Sequence, residues 1–356
     1  MIFEQFRAGG CLSYLIGCER SHAAALVDPE ISLLERYVGE ASAAGLRLEY
    51  LVDTHTHADH FSATHTLAQR LSLPAVMYRS TEVSRVDLRV DEGEELLLGD
   101  LRLEVLHTPG HTSDSMCIVA GDRVFTGDTL LIQSTGRTDL PTGDPVAMHA
   151  SLFDRILALD DRLQIFPAHD YQGRSSTTIG AERASNPRLQ LRDVHAFVAQ
   201  MQSLSLSMPV HLTEALRVNR TGGRSVAQMI DEATRAVPFM SMHELARRLL
   251  EGARDLTILD VRERDAYEAG HLPEALHLAR GQLELRIDEI VPDPTTRLVV
   301  YCELGKISTL AVATLRSMGY LRAVALDGGL GAWREAHLPL VTTGVDGLRP
   351  ISMQSR

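Results

Sequence analysis

Apolar residues in the first two thirds of the chain occur in short runs separated by turn signals, a pattern typical of β-strands. The predicted strands cover residues 13–17, 23–27, 48–52, 75–77, 96–98, 101–106, 115–119 and 123–125. Gly99-Asp100 lies between two of these runs and predicts a hairpin. Helical periodicity predicts helices over 31–44, 60–71 and 145–159, the last capped by Asp144. This mixture predicts two sheets with helices on their outer faces.

The pattern changes in the last third of the chain. Strand signals stop over residues 185–237, which we interpret as the tail of the first domain and a connector. A helix over 242–250, strands over 257–260, 298–302 and 323–326, and a helix over 309–318 then predict a small α/β domain with a parallel sheet. The expected domains are 1–235 and 236–345, followed by a loose tail at 346–356.

Composition and charge exclude several classes of partner. The 356 residues suit two domains, and a hydrophobic share of 44% allows each domain its own core. A net charge of −12 without a basic block argues against nucleic acid or an anionic membrane as partner. No apolar segment approaches the roughly 20 residues that span a bilayer. Four scattered cysteines do not form a disulfide framework, so the expected location is cytoplasmic.

The densest cluster of chemically active residues follows the predicted strand 48–52. Three histidines and a carboxylate lie within six residues: His55, His57, Asp59 and His60. Imidazole and carboxylate groups are the ligands of a borderline divalent metal. Unpaired buried groups of this kind would be costly without an ion. The cluster therefore predicts a metal site.

Further ligands follow other strands, after the turns Pro109-Gly110 and Thr126-Gly127 and after 165–166. They are His111, Asp128 and His169. Loops that end neighbouring strands can converge on one rim of a layered α/β fold. The residues alone allow a two-metal hydrolase site, with one ion on His55, His57 and His111, another on Asp59, His60 and His169, and Asp128 bridging.

In this order, the strings HTHADH (55–60), TPGH (108–111), FTGD (125–128) and PAHD (167–170) resemble the metallo-β-lactamase fold in its glyoxalase II and persulfide dioxygenase branch. The resemblance covers about residues 1–190 and implies an αββα sandwich. GRTDL at 136–140 and NPRL at 186–189 resemble persulfide dioxygenases rather than glyoxalase II. The family often has Gly-Cys-Gly where this chain has Ser134-Thr135-Gly136, a difference expected to affect loop packing or substrate fit.

The resemblance implies one Fe(II) per dioxygenase domain, held by His55, His111 and Asp128. Two imidazoles and one carboxylate leave open positions for a persulfide sulfur and O2. The remaining residues of the cluster would orient ligands and substrate; they are His57, Asp59, His60 and His169. The implied substrate is glutathione persulfide, with Arg137, Tyr171 and Arg188 as candidate contacts. For each arginine the open alternative is simple pairing with a nearby acid.

The second domain resembles a rhodanese over about 240–342, on the strings LDVRE (259–263), YEAGHLPEA (267–275) and LDGGLGAW (326–333). Cys302 ends an apolar strand ahead of a short loop and a helix, whose backbone N–H groups can stabilise a thiolate or a persulfide. Many rhodaneses have arginine where this chain has Ile307, so Lys306 is the candidate cation for an anionic donor. The other cysteines, Cys11, Cys18 and Cys117, are predicted to be inert.

The favoured hypothesis is a persulfide dioxygenase fused to a rhodanese that exchanges sulfur between thiosulfate and glutathione. Sulfite, O2 and glutathione persulfide are the other expected partners, with the direction of sulfur flow left open. One alternative is a zinc-dependent thioester hydrolase of glyoxalase II type, and another is a rhodanese domain that only binds or docks. The sequence leaves the oligomeric state open, a homodimer included.

Overall fold

The computed structural model describes residues 1–252, 254–342 and 349–350. The chain divides into two compact units, residues 1–223 and 224–356. Most of the expected loose tail at 346–356 lies outside the described residues. Of this tail the structure describes Arg349–Pro350, a short strand that pairs with Val341–Thr342.

The first unit contains two six-stranded sheets. In chain order, the first sheet consists of β1 (Ile2–Ala8), β2 (Cys11–Gly17), β3 (Ala23–Val27), β4 (Arg47–Val52), β5 (Ala75–Tyr78) and β6 (Leu88–Val90). The second sheet, in the order β14-β13-β10-β9-β8-β7, consists of β7 (Glu95–Leu98), β8 (Leu101–His107), β9 (Met116–Ala120), β10 (Arg123–Gly127), β13 (Gln164–Pro167) and β14 (Thr177–Thr178). Between β10 and β13, the strands β11 (Leu130–Leu131) and β12 (Ser134–Thr135) form a separate hairpin.

Helices cover the sheets, and the apolar core fills the space between layers. They are α1 (Leu34–Ala43), α2 (Thr64–Leu71), α3 (Pro145–Ala150), α4 (Ile179–Ser185), α5 (Val194–Gln202) and α6 (Leu212–Thr221). Buried aromatic rings pack between the sheets, with Tyr14 and Phe125 centroids 5.0 Å apart. A second cluster joins α1 and α2 to their sheet, and a third includes Met148 and Phe197 from α3 and α5. The predicted αββα sandwich is confirmed.

Three local predictions need correction. In the first unit, strands β1, β6, β11, β12 and β14 were not predicted. Helix α2 begins at Thr64 rather than at residue 60, because residues 55–62 form a loop around the histidine cluster. The expected helix over 145–159 is α only to Ala150 and continues as a π turn and a 3-10 turn. Asp144 caps its start as predicted, accepting hydrogen bonds from the Val146 and Ala147 N–H groups.

The second unit has a five-stranded parallel sheet in the order β15-β19-β18-β16-β17. Its strands are β15 (Phe239–Met240), β16 (Thr257–Asp260), β17 (Leu276–His277), β18 (Leu298–Tyr301) and β19 (Ala323–Leu326). Its helices are α7 (Val226–Ala236), α8 (Met242–Leu250), α9 (Arg264–Ala269), α10 (Leu283–Ile290), α11 (Lys306–Ser317) and α12 (Gly329–Glu335). Two apolar clusters include buried residues of the sheet, which confirms the predicted small α/β domain.

Among the described residues, none of the helices has both the length and the apolar character that crossing a bilayer requires.

Candidate metal centre and candidate thiol site

Four of the predicted ligands lie close together in the first unit, and each of them follows the end of a strand. His55 follows β4, His111 follows β8, Asp128 follows β10 and His169 follows β13. Backbone hydrogen bonds tie these loops together, from Met116 N–H to the Thr54 carbonyl and from Ala168 N–H to the Gly127 carbonyl. The loops are therefore held by the ladders of both sheets.

The three residues predicted to bind iron lie together. The ligand atoms of His55, His111 and Asp128 are all within 4.8 Å of one another. Asp128 Oδ2 is 3.5 Å from His111 Nε2 and 4.0 Å from His55 Nε2. All three residues are buried. This is the compact, mixed imidazole and carboxylate set that a divalent ion requires.

Hydrogen bonds at the far side of each ring orient the two imidazoles. His111 Nδ1–H donates to the Arg137 carbonyl at 2.8 Å. The Thr54 hydroxyl donates to Asp28, so it accepts from His55 Nδ1–H at 3.0 Å. Each ring therefore keeps the lone pair of Nε2 directed to the Asp128 side. His55 Nε2 is buried and has no hydrogen-bond partner among the described residues, as expected of a metal ligand.

The pKa values of His55 and Asp128 favour the protonation states that bind a cation. Burial, aided by His57, lowers the pKa of His55 to about 3, so its ring is neutral. Burial opposes ionisation of Asp128, but the positive charge and hydrogen bond of His169 outweigh it and hold the pKa of Asp128 well below its usual value. A neutral imidazole and an ionised carboxylate are the forms that bind metal.

A second group of donors surrounds the first and is paired internally. His169 Nδ1 lies 2.7 Å from Asp128 Oδ1 and its Nε2 lies 2.8 Å from Asp59 Oδ2. These carboxylates outweigh the effect of burial and raise the pKa of His169 well above its usual value. Burial also lowers the pKa of His60, but hydrogen bonds to Asp59 and Cys11 outweigh it and raise that pKa to about 10. Both rings are therefore cationic in this arrangement.

Cys11 belongs to this second group, contrary to the expectation of an inert thiol. Its Sγ lies within 4.8 Å of ligand atoms of Asp59, His60 and His169. Burial raises the pKa of Cys11, but His169 and His60 outweigh it and lower that pKa overall. The sequence carries no signal for this contact, because β2 and the β13 loop are far apart in the chain.

Two further residues outside the motifs hold the histidine loop. Asp28 accepts hydrogen bonds from Thr54 N–H at 2.7 Å and lies 3.2 Å from His57 Nε2. Asn219 on α6 donates to the carbonyls of His57 and His60 at 2.8 and 2.9 Å. Asn219 gives a structural role to part of the segment 190–237, in which no chemistry was predicted.

A cavity of about 560 Å³ opens onto the metal centre. Its lining includes His111 and Asp128 and the three predicted substrate contacts, Arg137, Tyr171 and Arg188. The Tyr171 ring stacks on His169 at 5.9 Å between centroids. The three candidates therefore share one cavity with two of the three predicted metal ligands.

The two arginines of this cavity differ in their partners. Arg137 forms a bidentate ion pair with Asp139, at 2.6 and 2.7 Å. Arg188 contacts Met201 Sδ at 2.7 Å and has no carboxylate partner in the described part of the chain. Burial lowers the pKa of Arg188. The charge of Arg188 is therefore the one more available to an anionic ligand.

The second unit places Cys302 at the end of β18, almost fully buried. Ser308 N–H, in the first turn of α11, donates to Cys302 Sγ at 3.3 Å. Gly305 precedes this helix with a φ of +82°, a conformation that favours glycine and turns the loop around the sulfur. A separate cavity contains Cys302, Lys306 and Ile307. Arg262 is bound by Asp260 at 2.6 Å and by the Gly270 carbonyl at 2.7 Å, contacts that support the fold.

Family comparisons match both units. Residues 6–169 match the metallo-beta-lactamase superfamily, and residues 241–336 match the rhodanese-like domain. The mitochondrial persulfide dioxygenase ETHE1 of Mus musculus is 34% identical over 226 residues, which cover 63% of this chain and 89% of that relative. The human protein of the same name is also 34% identical over 226 residues, with the same coverage.

Two solved structures are also similar to this chain. The crystal structure of ETHE1 from Myxococcus xanthus has a TM-score of 0.61 and 36% identity, covering 63% of this chain and all of that chain. A metallo-beta-lactamase from Staphylococcus aureus covers 92% of this chain and 98% of its own, with a TM-score of 0.60. At 22% identity, that structure supports the fold alone.

Proposed function

Because the chain belongs to the metallo-β-lactamase superfamily, with persulfide dioxygenases among its homologues and a C-terminal rhodanese-like domain, we propose that it is an enzyme that oxidises a thiol persulfide. The proposed substrate is glutathione persulfide, which reacts with O2 and water to give sulfite and glutathione. The observation that carries the proposal is the convergence of His55, His111 and Asp128.

These residues fit a single Fe(II). The ion would supply open coordination positions for the substrate sulfur and for O2. Around it, Thr54 and the Arg137 carbonyl keep the two imidazoles oriented. His169 holds Asp128 through its other oxygen. The protein therefore keeps the ligand atoms in place before an ion arrives, which favours binding.

The cavity suits a substrate with carboxylates and a peptide backbone. Arg188 is the proposed anchor for a glutathione carboxylate, since no acid in the described residues neutralises it. Arg137 contributes after exchange of its Asp139 partner. Tyr171 is 77% exposed, so its hydroxyl can bind the outer part of the peptide.

We also propose that the rhodanese-like unit transfers sulfane sulfur through Cys302. The thiolate attacks the outer sulfur of thiosulfate, sulfite leaves, and glutathione then takes the sulfur from the cysteine persulfide. Ser308 N–H stabilises the charge on Sγ, and Lys306 is the proposed contact for the donor anion. The product is the substrate of the first unit. The proposed location remains the cytoplasm, the expectation drawn from the four scattered cysteines of the sequence.

The alternative function is zinc-dependent thioester hydrolysis. Its support is that the other four ligands of a two-metal site are grouped near the first three, His57 with His55, and Asp59, His60 and His169 with one another. Both ring nitrogens of His169 lie against carboxylates, so Asp59 and His169 either pair with one another or bind a second ion. Metal content therefore distinguishes the two functions.

The decisive experiment is O2 uptake by iron-loaded protein given glutathione persulfide, together with metal analysis. We expect about one iron per chain, sulfite as product, and at least a hundredfold loss of rate in His55→Ala and Asp128→Ala. His195→Ala removes an exposed histidine on α5 and should keep full activity. Two zinc ions per chain with thioester hydrolysis and no O2 uptake would instead establish the hydrolase.

A further inference from the structure

The cavity beside Cys302 is much larger than an inorganic sulfur donor needs. Its volume is about 1200 Å³, and it lies between α7 and α11. Its walls carry mainly apolar side chains, with Met229, Ala233 and Ala236 from α7 and Ile307, Leu310 and Ala313 from α11. Cys302 lies at the same cavity. A sulfur bound to Cys302 therefore lies next to an extended apolar surface.

Several of these apolar side chains are exposed although they line a cavity. The exposed fractions are 42% for Met229, 50% for Ile307 and 68% for Leu304. Covering such surface with an apolar ligand group removes it from water and favours binding. Concave apolar surface with a few polar groups is the usual composition of a small-molecule site.

The charges of the lining are largely balanced. The ion pairs that balance them are Arg224 with Glu232, Arg262 with Asp260, Arg280 with Glu284, and Glu303 with Arg334. Glu263 and Lys306 add one charge of each sign. A small anionic donor can therefore contact Lys306 next to Cys302, whereas an apolar group along α7 and α11 meets charges that are balanced by their partners.

We infer that this cavity binds the apolar group of an organic thiol, which accepts the sulfane sulfur of Cys302. The inference rests on the proposed sulfur transfer by Cys302 and names a class of acceptor beyond glutathione. Glutathione reaches the same sulfur, but its polar backbone gains little binding free energy from the apolar walls formed by α7 and α11. The apolar acceptor gains binding free energy in proportion to the area that it buries.

The transfer step balances without another reactant. The acceptor thiolate attacks the outer sulfur of the Cys302 persulfide, and a new S–S bond joins these two atoms. The bond between Cys302 Sγ and the outer sulfur breaks, and its electron pair remains on Sγ. In sum, one thiol and one persulfide give one persulfide and one thiol, with no net oxidation.

The test uses the full chain and a series of straight-chain thiols. Protein is first treated with thiosulfate or glutathione persulfide, and intact mass spectrometry measures the gain of one sulfur atom, which Cys302→Ser must lack. The loaded protein is then mixed with ethanethiol, butanethiol or hexanethiol, and the loss of that sulfur is timed. Chain length barely changes thiol acidity, so the rates compare binding. We expect a two- to fourfold increase in second-order rate constant per added methylene.

Variants test whether the walls formed by α7 and α11 cause the dependence of the rate on thiol chain length. Met229→Ser and Ile307→Ser should flatten the dependence on chain length, because each removes apolar surface from one wall. Leu285→Ser removes an apolar side chain that is 79% exposed on α10 and is not part of the lining, so it should keep the dependence. Fluorescence of the buried Trp333 checks that each variant is folded.

The possible results distinguish the proposed sulfur transfer by Cys302 from the inferred binding of an apolar acceptor. Failure to load sulfur on Cys302 would overturn the proposed sulfur transfer itself. Normal loading and transfer to glutathione, with equal rates for all three thiols, would overturn the inference and leave the proposed function standing. An unchanged dependence in both Met229→Ser and Ile307→Ser would place the apolar contact elsewhere and also overturn it.

Discussion

At the metal centre, the charge of each imidazole follows from its nearest neighbours. His55 lies among other imidazoles and is buried, so it remains neutral. His169 lies between two carboxylates and is cationic. The rings of one cluster therefore have different roles: His55 offers a lone pair, whereas His169 donates a hydrogen bond to Asp128 and forms an ion pair with Asp59.

Replacing Asp28 tests whether a residue that is not itself a predicted ligand positions His55 through Thr54. In Asp28→Asn, one of the two oxygens that accept from the Thr54 hydroxyl becomes an amide NH2 group, so the hydroxyl is held less firmly in the orientation that accepts from His55. We expect iron affinity to fall 10- to 100-fold. Competition with a chelator measures it. Asp160→Asn changes an exposed carboxylate and should bind iron normally. Equal affinities in both variants would show that Asp28 does not position the ligand.

At the scale of elements, α3 packs directly against the loop that carries His111. Gly110 has a φ of +142°, and an added Cβ would lie 2.3 Å from Met148 Cα. Asp144 N–H donates to the Gly110 carbonyl, and the Ser151 hydroxyl donates to the Pro109 carbonyl. The helix therefore fixes the direction in which His111 leaves the turn.

Gly110→Ala should displace His111, because the backbone of Met148 cannot yield as a side chain could. We expect more than a tenfold loss of iron affinity and destabilisation by about 1–3 kcal/mol. Gly121→Ala also places alanine at a positive φ, but nothing lies within 4 Å of its Cβ. A variant of Gly110 that bound iron as tightly as the Gly121 variant would contradict this account.

Helix α6 supports the histidine loop through one side chain. In Asn219→Ala, the carbonyls of His57 and His60 lose their donor, which should destabilise the first unit by about 1–3 kcal/mol. Chemical denaturation measures the change, with Thr221→Ala, on the exposed face of the same helix, as control. A change no larger than that of the control would mean that the loop does not depend on α6.

At the scale of the whole molecule, the two units have separate cores and separate candidate sites. The single tryptophan of the chain, Trp333, is buried in the second unit. Its fluorescence therefore reports unfolding of the second unit, while circular dichroism reports both.

Binding of iron should stabilise the first unit alone. At 100 times the dissociation constant, the expected gain is about 2.7 kcal/mol. Under anaerobic conditions, iron should move the transition of the first unit to higher temperature in circular dichroism, and the Trp333 transition should stay in place. A shift of both transitions would show that the units unfold as one.

Sequence alone determined the two folds, the family and the candidate ligands. Short apolar runs between turn signals predicted most strands to within one or two residues, because strands such as β3 and β18 are buried on both faces and so consist of apolar residues throughout. The ligand strings follow strands β4, β8, β10 and β13, and strand ends are set locally by turn chemistry. The residues alone allowed one metal or two, the family resemblance of these strings implied the triad His55, His111 and Asp128, and the structure brings these three residues together.

Only the tertiary structure decided which distant residues act on that triad. Asp28 after β3, Cys11 on β2 and Asn219 on α6 contact the histidine loop from positions that no motif marks. The meeting of Arg137 and Arg188 at one cavity, and the apolar walls beside Cys302, likewise depend on how elements pack. Contacts between residues far apart in the chain require the whole fold to form, since short-range patterns of burial and turn carry no record of them.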